Sequence, residues 1–450
     1  MTAPQPDYLT DHDYPPVFHP ELAPGWLAAV LVALGHPAPA RGHWCELGCG
    51  EGFSAALLAA ANPDMRFTGI DLNPRHIATA RARAKAAGLD NLEFHCADLR
   101  DPQGLAGPFD MIVTHGVLSW VGPEVRTALA AFIATHLAPG GVAAVQYMSE
   151  PGGAAFRAFH AVFRACAGAP DPVAEGLARL TALREAKAGF FQMHAHAAQT
   201  LDNLLTQPPG YIRHEYMNAT FQPLTFGEVA GLFSDRGLVW RGSATPLDNI
   251  DAASIPAEAA RSLAGVRDPV LRETMKDLAR NQALRYDLFT RPKAPAGDEA
   301  HLALLRGVVW ALLPGAPPPA ALTFTTPIGP VEADPRLYAP LLTRLAQGPA
   351  RFGDTEAIPP FSGRPGLLNQ ALQMALWAGI AHPLGRAPRA PGAARLNRLL
   401  LAEAAQGARV PALCAAPLGS GRAVTPAQMA DLGAGGGPQA LRALFGLDRG

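Results

Sequence analysis

Cysteine, net charge and long apolar runs are scarce in this chain, and each shortage removes a class of protein. The five cysteines (Cys45, Cys49, Cys96, Cys166 and Cys414) are odd in number and scattered. No disulfide framework follows from them, and no second pair stands beside Cys45 and Cys49 to complete a zinc site, so free thiols in a reducing compartment and no metal are expected. Net charge is −1 over 450 residues, which gives no overall nucleic-acid signature. The apolar run from Trp26 to Gly35 is too short to cross a bilayer. The first residues, Met1 to Tyr8, hold no basic or apolar run, so no signal peptide is expected. Lysine is absent from His301 onward, where thirteen arginines face seven acids. That scattered bias reads as genome composition, with a basic surface for an acidic partner as the alternative. No internal repeat is found.

What is present is a 49% apolar composition, enough for a sizeable core in two or three domains. The most informative stretch is His43-Trp44-Cys45-Glu46-Leu47-Gly48-Cys49-Gly50-Glu51-Gly52, then Phe53-Ser54-Ala55-Ala56-Leu57-Leu58. It reads as a short strand, a glycine turn and a helix start, a unit that brings backbone N–H groups close to a ligand. The next strand, Met65 to Ile70, ends in Asp71, where a carboxylate can accept both hydroxyls of a ribose. A third, Asn91 to Cys96, leads into Ala97-Asp98-Leu99, where an acid can accept an adenine amine. Leu72 and Leu99 would sandwich the base.

The chain alternates strand and helix, which implies a parallel sheet. A helix from Ala23 to Leu34 precedes the glycine turn, and another from Pro74 to Ala87 is capped by Asn73 and stopped by Gly88. A fourth strand, Phe109 to Thr114, is followed by His115-Gly116-Val117-Leu118-Ser119-Trp120-Val121 and a helix from Pro123 to Leu137. Pro139-Gly140-Gly141 then turns into a fifth strand, Val142 to Tyr147. Helical patterning without strands fills 149–213, and again 252–280. Leu238 to Ser243 and Leu284 to Thr290 read as strands six and seven, the last antiparallel. Pro292 to Gly297 is linker-like. The boundaries drawn are therefore 1–292, with its two helical insertions, and a separate C-terminal accessory domain, 300–450, of α+β and possible winged-helix character.

The Glu-x-Gly-x-Gly-x-Gly turn with acids ending the next two strands resembles the class I S-adenosylmethionine-dependent methyltransferases. Further segments resemble a narrower group that carries a methyltransferase regulatory domain, including the rickettsial protein-lysine methyltransferases. They are Pro16 to Pro20, Thr114 to Val121, Gln146 to Gly152, Arg213 to Asn218 and Arg285 to Phe289. The resemblance spans roughly residues 8–292. It departs at Gln146-Tyr147-Met148-Ser149-Glu150-Pro151-Gly152-Gly153, where the group commonly has Ser-Tyr-Asn-x-x-Pro-Gly-Trp.

The resemblance implies a seven-stranded, doubly wound α/β (Rossmann-like) sheet, S-adenosylmethionine as cofactor and a methyl acceptor, with a protein lysine first among the choices. The alternatives are a small-molecule methyltransferase and a non-catalytic ligand-binding regulator. Cofactor-binding residues would be Tyr14, His19, Glu46, Gly48, Gly50, Asp71, Leu72, Asp98, Leu99 and His115, with Glu46 near the ligand's amino group. His115 and Tyr147, at the ends of strands four and five, are the candidates to orient the acceptor or take its proton. Tyr14, Phe18 and Trp120 are candidates for an aromatic wall, Glu150 for pairing a cationic substrate, and Cys49 only remotely for a nucleophile. The partners expected are a protein substrate or small-molecule acceptor, in the cytoplasm, with no membrane or nucleic acid, and a homodimer left open.

Overall fold

The computed structural model describes residues 16–39, 41–102, 105, 107–319, 322–385 and 390–448. Its centre is a seven-stranded sheet of β1 (His43–Leu47), β2 (Arg66–Asp71), β3 (Leu92–Cys96), β4 (Phe109–Thr114), β5 (Leu137–Met148), β6 (Val239–Ser243) and β7 (Leu284–Thr290). The order is β3-β2-β1-β4-β5-β7-β6. β1 to β5 pair in parallel, and β7 runs antiparallel to both β5 and β6. The expected sheet, including its reversed last strand, is present.

Local signals explain the helices on its faces. α1 (Pro24–Ala33) starts on a proline, whose missing N–H costs nothing in a first turn. α2 (Phe53–Ala61) leaves the glycine turn. α3 (Pro74–Ala87) is capped by the Asn73 side chain, which accepts from Arg75 N–H, and ends on left-handed Gly88. α4 (Pro123–His136) runs directly into β5. The expected Pro139-Gly140-Gly141 turn lies inside β5, where a register shift against β4 absorbs it.

After β5 come five helices, from Glu150–Ala165 to Pro209–Tyr216, with their own core around Phe159, Phe163, Leu180 and Leu201. Three more, Asp251–Ser254, Ala257–Ser262 and Pro269–Arg280, fill the gap between β6 and β7.

The C-terminal part has a three-stranded antiparallel sheet with Val309–Leu312 in the middle, two hairpins, and helices including Pro391–Ala405. Sequence composition suggests a separate unit, but one continuous apolar core joins it to α1, α2 and α3. All nine residues of α2 are buried. The hairpin Ala412–Ala415/Ser420–Ala423 covers α2's outer side, with Asn62 Nδ2 donating to Gly419 O at 2.9 Å. Arg395 of helix Pro391–Ala405 donates to Ala87 O at 2.9 Å and caps α3. No helix among the described residues is long and apolar enough to cross a membrane.

Candidate active site

The glycine turn lies at the carboxyl end of the parallel strands. Gly48 and Cys49 N–H both donate to Ile70 O, at 2.8 and 3.0 Å, so the chain leaves β1 hooked over the end of β2. Gly52 has φ +67°, and a Cβ there would come 2.4 Å from the Phe94 ring. Gly48, at φ +77°, is as tightly set against Val117. Gly50 (φ +53°) and Gly116 (φ +62°) differ, because no described atom lies within 4 Å of a built Cβ. Two glycines therefore lock the turn, and two leave open space where a ligand can approach the backbone.

Asp71 braces this turn. Its carboxylate accepts from Gly50 N–H and Asn73 N–H, each at 2.8 Å, and His76 Nδ1 lies 3.7 Å away. A carboxylate offers about four acceptor positions, so capacity for a ribose remains. Leu72 is 45% exposed at the same strand end, an apolar surface for a base, and Leu99 is half-buried. Asp98 already has a partner. Arg100 forks onto both its oxygens, the closest contact at 2.6 Å, and that hydrogen bonding holds the Asp98 carboxyl below its ordinary range. An adenine amine would have to compete with that guanidinium.

Glu46 is fully buried. Its Oε1 meets His115 Nε2 at 2.9 Å, and its Oε2 has no partner among the described residues. A buried, half-satisfied carboxylate is costly unless a cation joins it. That orphan oxygen, on the strand that leads into the glycine turn, fits a ligand carrying an ammonium group. His115 packs edge-on against His19, ring centroids 4.9 Å apart, and Tyr286 Oη lies 2.7 Å from His19 Nδ1. Burial, and secondarily His115, lowers the His19 pKa to about 3, so the ring is neutral.

The other expected residues have partners or surroundings of their own. Tyr147 is buried in the sheet and donates to Asp287 Oδ2 at 2.6 Å. Burial, then Asp287, pushes its phenol well up, so the hydroxyl stays protonated and committed to Asp287. Asp287 is itself clasped by Arg285 and by Trp240 Nε1. Phe18 packs against Gly421 of the C-terminal hairpin and the core around it. Trp120 packs on Phe221 and Phe156, centroids 4.7 and 5.7 Å away. Glu150 pairs with Arg157 at 3.3 Å. Cys49 is buried, and desolvation with Glu46 nearby raises its thiol far out of nucleophile range. Tyr14 lies outside the described residues.

Family comparison agrees with this geometry. A methyltransferase-domain family matches residues 45–141, and the family described as "Predicted methyltransferase regulatory domain" matches 208–291. An uncharacterized protein of Synechocystis, sll1526, is 31% identical over 386 residues, covering 84% of this chain and 76% of that protein. The chain belongs to the class I S-adenosylmethionine-dependent methyltransferases with a methyltransferase regulatory domain.

Among solved structures, the methyltransferase is similar to PKMT2 from Rickettsia typhi in complex with AdoHcy. The TM-score is 0.71 at 18% identity, over 92% of this chain and 87% of that one. The trans-aconitate 2-methyltransferase of Methylobacterium radiotolerans is 37% identical over 160 residues, 35% of this chain and 57% of that enzyme.

Three residues of the methyltransferase's site lie in stretches the sequence singled out but were not themselves picked as site residues. Gln146 Oε1 accepts from Gly116 N–H at 2.7 Å and fixes the open loop after β4. Phe94 wedges the glycine turn. Tyr286 comes from the segment matched by the regulatory-domain family and reaches His19 across 267 residues of sequence. The segment Arg285 to Phe289 was marked by resemblance and by its alternation, but neither names the partner that Tyr286 meets.

Proposed function

We propose that the chain transfers a methyl group from S-adenosylmethionine to the side-chain amine of a protein lysine. The observation that carries cofactor binding is Glu46, whose unpaired buried Oε2 calls for the ammonium of the ligand's amino-acid end. Gly48 and Gly50 would approach the ligand backbone, Asp71 the ribose, and Leu72 and Leu99 the base. When bound, S-adenosylmethionine supplies a methyl carbon activated by sulfonium. The protein has to hold the acceptor nitrogen about 3–3.5 Å from that carbon, in line, and keep water away.

A lysine must first lose a proton, and a desolvated site lowers an amine's pKa. In this scheme His115 accepts it. With Nε2–H given to Glu46, its other nitrogen is the basic one, and it stands at the end of β4 beside the open Gly116. Tyr147 has no part in this scheme.

The acceptor choice is supported by coverage. The likeness to the rickettsial PKMT2 structure runs through insertions and C-terminal part alike, whereas the trans-aconitate 2-methyltransferase matches only about a third of the chain. That second relative favours a small-molecule acceptor as the other reading. Incubation with methyl-labelled S-adenosylmethionine and native cell extract separates the two. Label in protein, released as methyl-lysine on hydrolysis, supports the proposal. Label confined to small products refutes it.

A further inference from the structure

Resting on the cofactor reading above, we propose that Tyr286 and His19 form the receptor for the carboxylate of the ligand's amino-acid end, with His19 Nε2–H as donor and Tyr286 as the positioning residue that fixes its tautomer.

The argument begins with charge. Glu46 answers an ammonium, but an α-amino acid carries a carboxylate one carbon away, which cannot sit against Glu46 without a donor of its own. Against the Glu46–His115 pair stands His19, whose ring lies edge-on to His115 at 4.9 Å. Its Nδ1 is 2.7 Å from the Tyr286 hydroxyl. Tyr286 is only 5% exposed, and among the described residues no other partner for that hydroxyl is seen. A buried phenol must place its proton, so it donates to Nδ1. The single proton of the neutral imidazole is then on Nε2, and that N–H faces away from Tyr286.

The surroundings hold the ring in place. His19 precedes a short turn, Pro20–Leu22, whose Leu22 O accepts from Trp44 Nε1 at 3.1 Å. On its other side, Val17 O accepts from Ser54 Oγ at 3.4 Å, and Phe18 is pressed against Gly421 of the C-terminal hairpin. Tyr286 stands on β7 opposite Gln146 of β5, the residue that fixes the Gly116 loop. Neutrality also matters. A cationic His19 would repel the ligand ammonium that Glu46 attracts, whereas a neutral N–H recognises the carboxylate without that penalty. The regulatory segment, the N-terminal segment and the C-terminal hairpin thus converge on one donor, which gives the 208–291 region a direct part in ligand binding.

Calorimetry on the full chain with two probes tests this. S-adenosylhomocysteine carries the amino-acid end and 5′-methylthioadenosine lacks it. Tyr286→Phe and His19→Ala should each weaken S-adenosylhomocysteine about tenfold or more and leave methylthioadenosine within about twofold. His19→Gln, which keeps an N–H donor, should recover part of the loss. Equal weakening of both probes would show a merely structural role and overturn the inference, as would unchanged affinity for S-adenosylhomocysteine. A wild-type chain that binds neither probe would overturn the cofactor reading itself, a result distinct from either.

Discussion

At the scale of single residues, the site is a set of local decisions with different consequences. Asp71 holds the glycine turn through two backbone N–H groups and is the expected ribose acceptor. Asp71→Ala should weaken S-adenosylhomocysteine binding by about 1–3 kcal/mol, the scale of hydrogen bonds to a charged group, with calorimetry as the check. Gly52→Ala tests the turn instead of the ligand. The new methyl would meet Phe94 at 2.4 Å and the backbone would stay left-handed at φ +67°. Overpacking of about 1–3 kcal/mol should appear as a lower midpoint in thermal unfolding. Gly50→Ala carries the same left-handed strain and meets no atom, so its defect should be smaller in stability and larger in ligand affinity. These residues were legible in the sequence because turn, cap and strand-end signals are local. Asp98 was legible in position only. Arg100, two residues on, forks onto the carboxylate expected to meet adenine, and spacing cannot tell which partner such an acid takes.

At the scale of elements, the sheet was readable and its polar interior was not. β7 alternates at period two, which places Arg285 and Asp287 on one face but does not say what they meet. In the structure Arg285 joins Asp277 at 2.5 Å, Asp287 at 2.9 Å and Glu273 at 3.3 Å, and lies 4.5 Å over the Phe226 ring. This cluster captures Tyr147 through Asp287, so the hydroxyl of a tyrosine at the end of a central strand is engaged inside the sheet. Its partner is 140 residues away, beyond the reach of any local pattern. Removing one member of a buried charge cluster leaves the others unpaired, so Arg285→Met should cost about 3–5 kcal/mol in chemical denaturation. Tyr147→Phe keeps the cluster's charges and should retain methyl transfer. A loss of catalysis with unchanged stability and ligand affinity would return Tyr147 to the chemistry.

At the scale of the whole molecule, the sequence held one clue to the packing of its last third. α2, Phe53-Ser54-Ala55-Ala56-Leu57-Leu58-Ala59-Ala60-Ala61, is apolar all round, and such a helix needs cover on both sides. The sheet supplies one side and the C-terminal hairpin the other, with Cys414 Sγ 3.4 Å from Leu57 O. The proline-rich linker suggested a boundary because composition reports chain stiffness and says nothing of what packs across it. His382 belongs to the same junction, its ring 5.9 Å from Trp26 of α1. Burial lowers its pKa to about 4, against an ordinary 6.5, so the unfolded chain binds the extra proton between those values. Its contribution is therefore complete above about pH 6.5 and is lost as pH falls toward 4, at up to ~1.4 kcal/mol per pH unit. His382→Gln should flatten that part of the stability profile, measured by denaturant unfolding from pH 7 to 4.5.

The same junction decides what truncation does. A fragment of residues 1–292 would expose the outer side of α2, uncap α3 where Arg395 meets Ala87 O, and free Phe18 from Gly421. Exposed apolar surface of that kind promotes aggregation, and a loosened Phe18 takes His19 out of register with Tyr286. The fragment should therefore aggregate or, if held in solution, bind S-adenosylhomocysteine far more weakly than the full chain. A soluble, cooperatively folded fragment with full-chain affinity in calorimetry would show that the C-terminal part is an appendage after all.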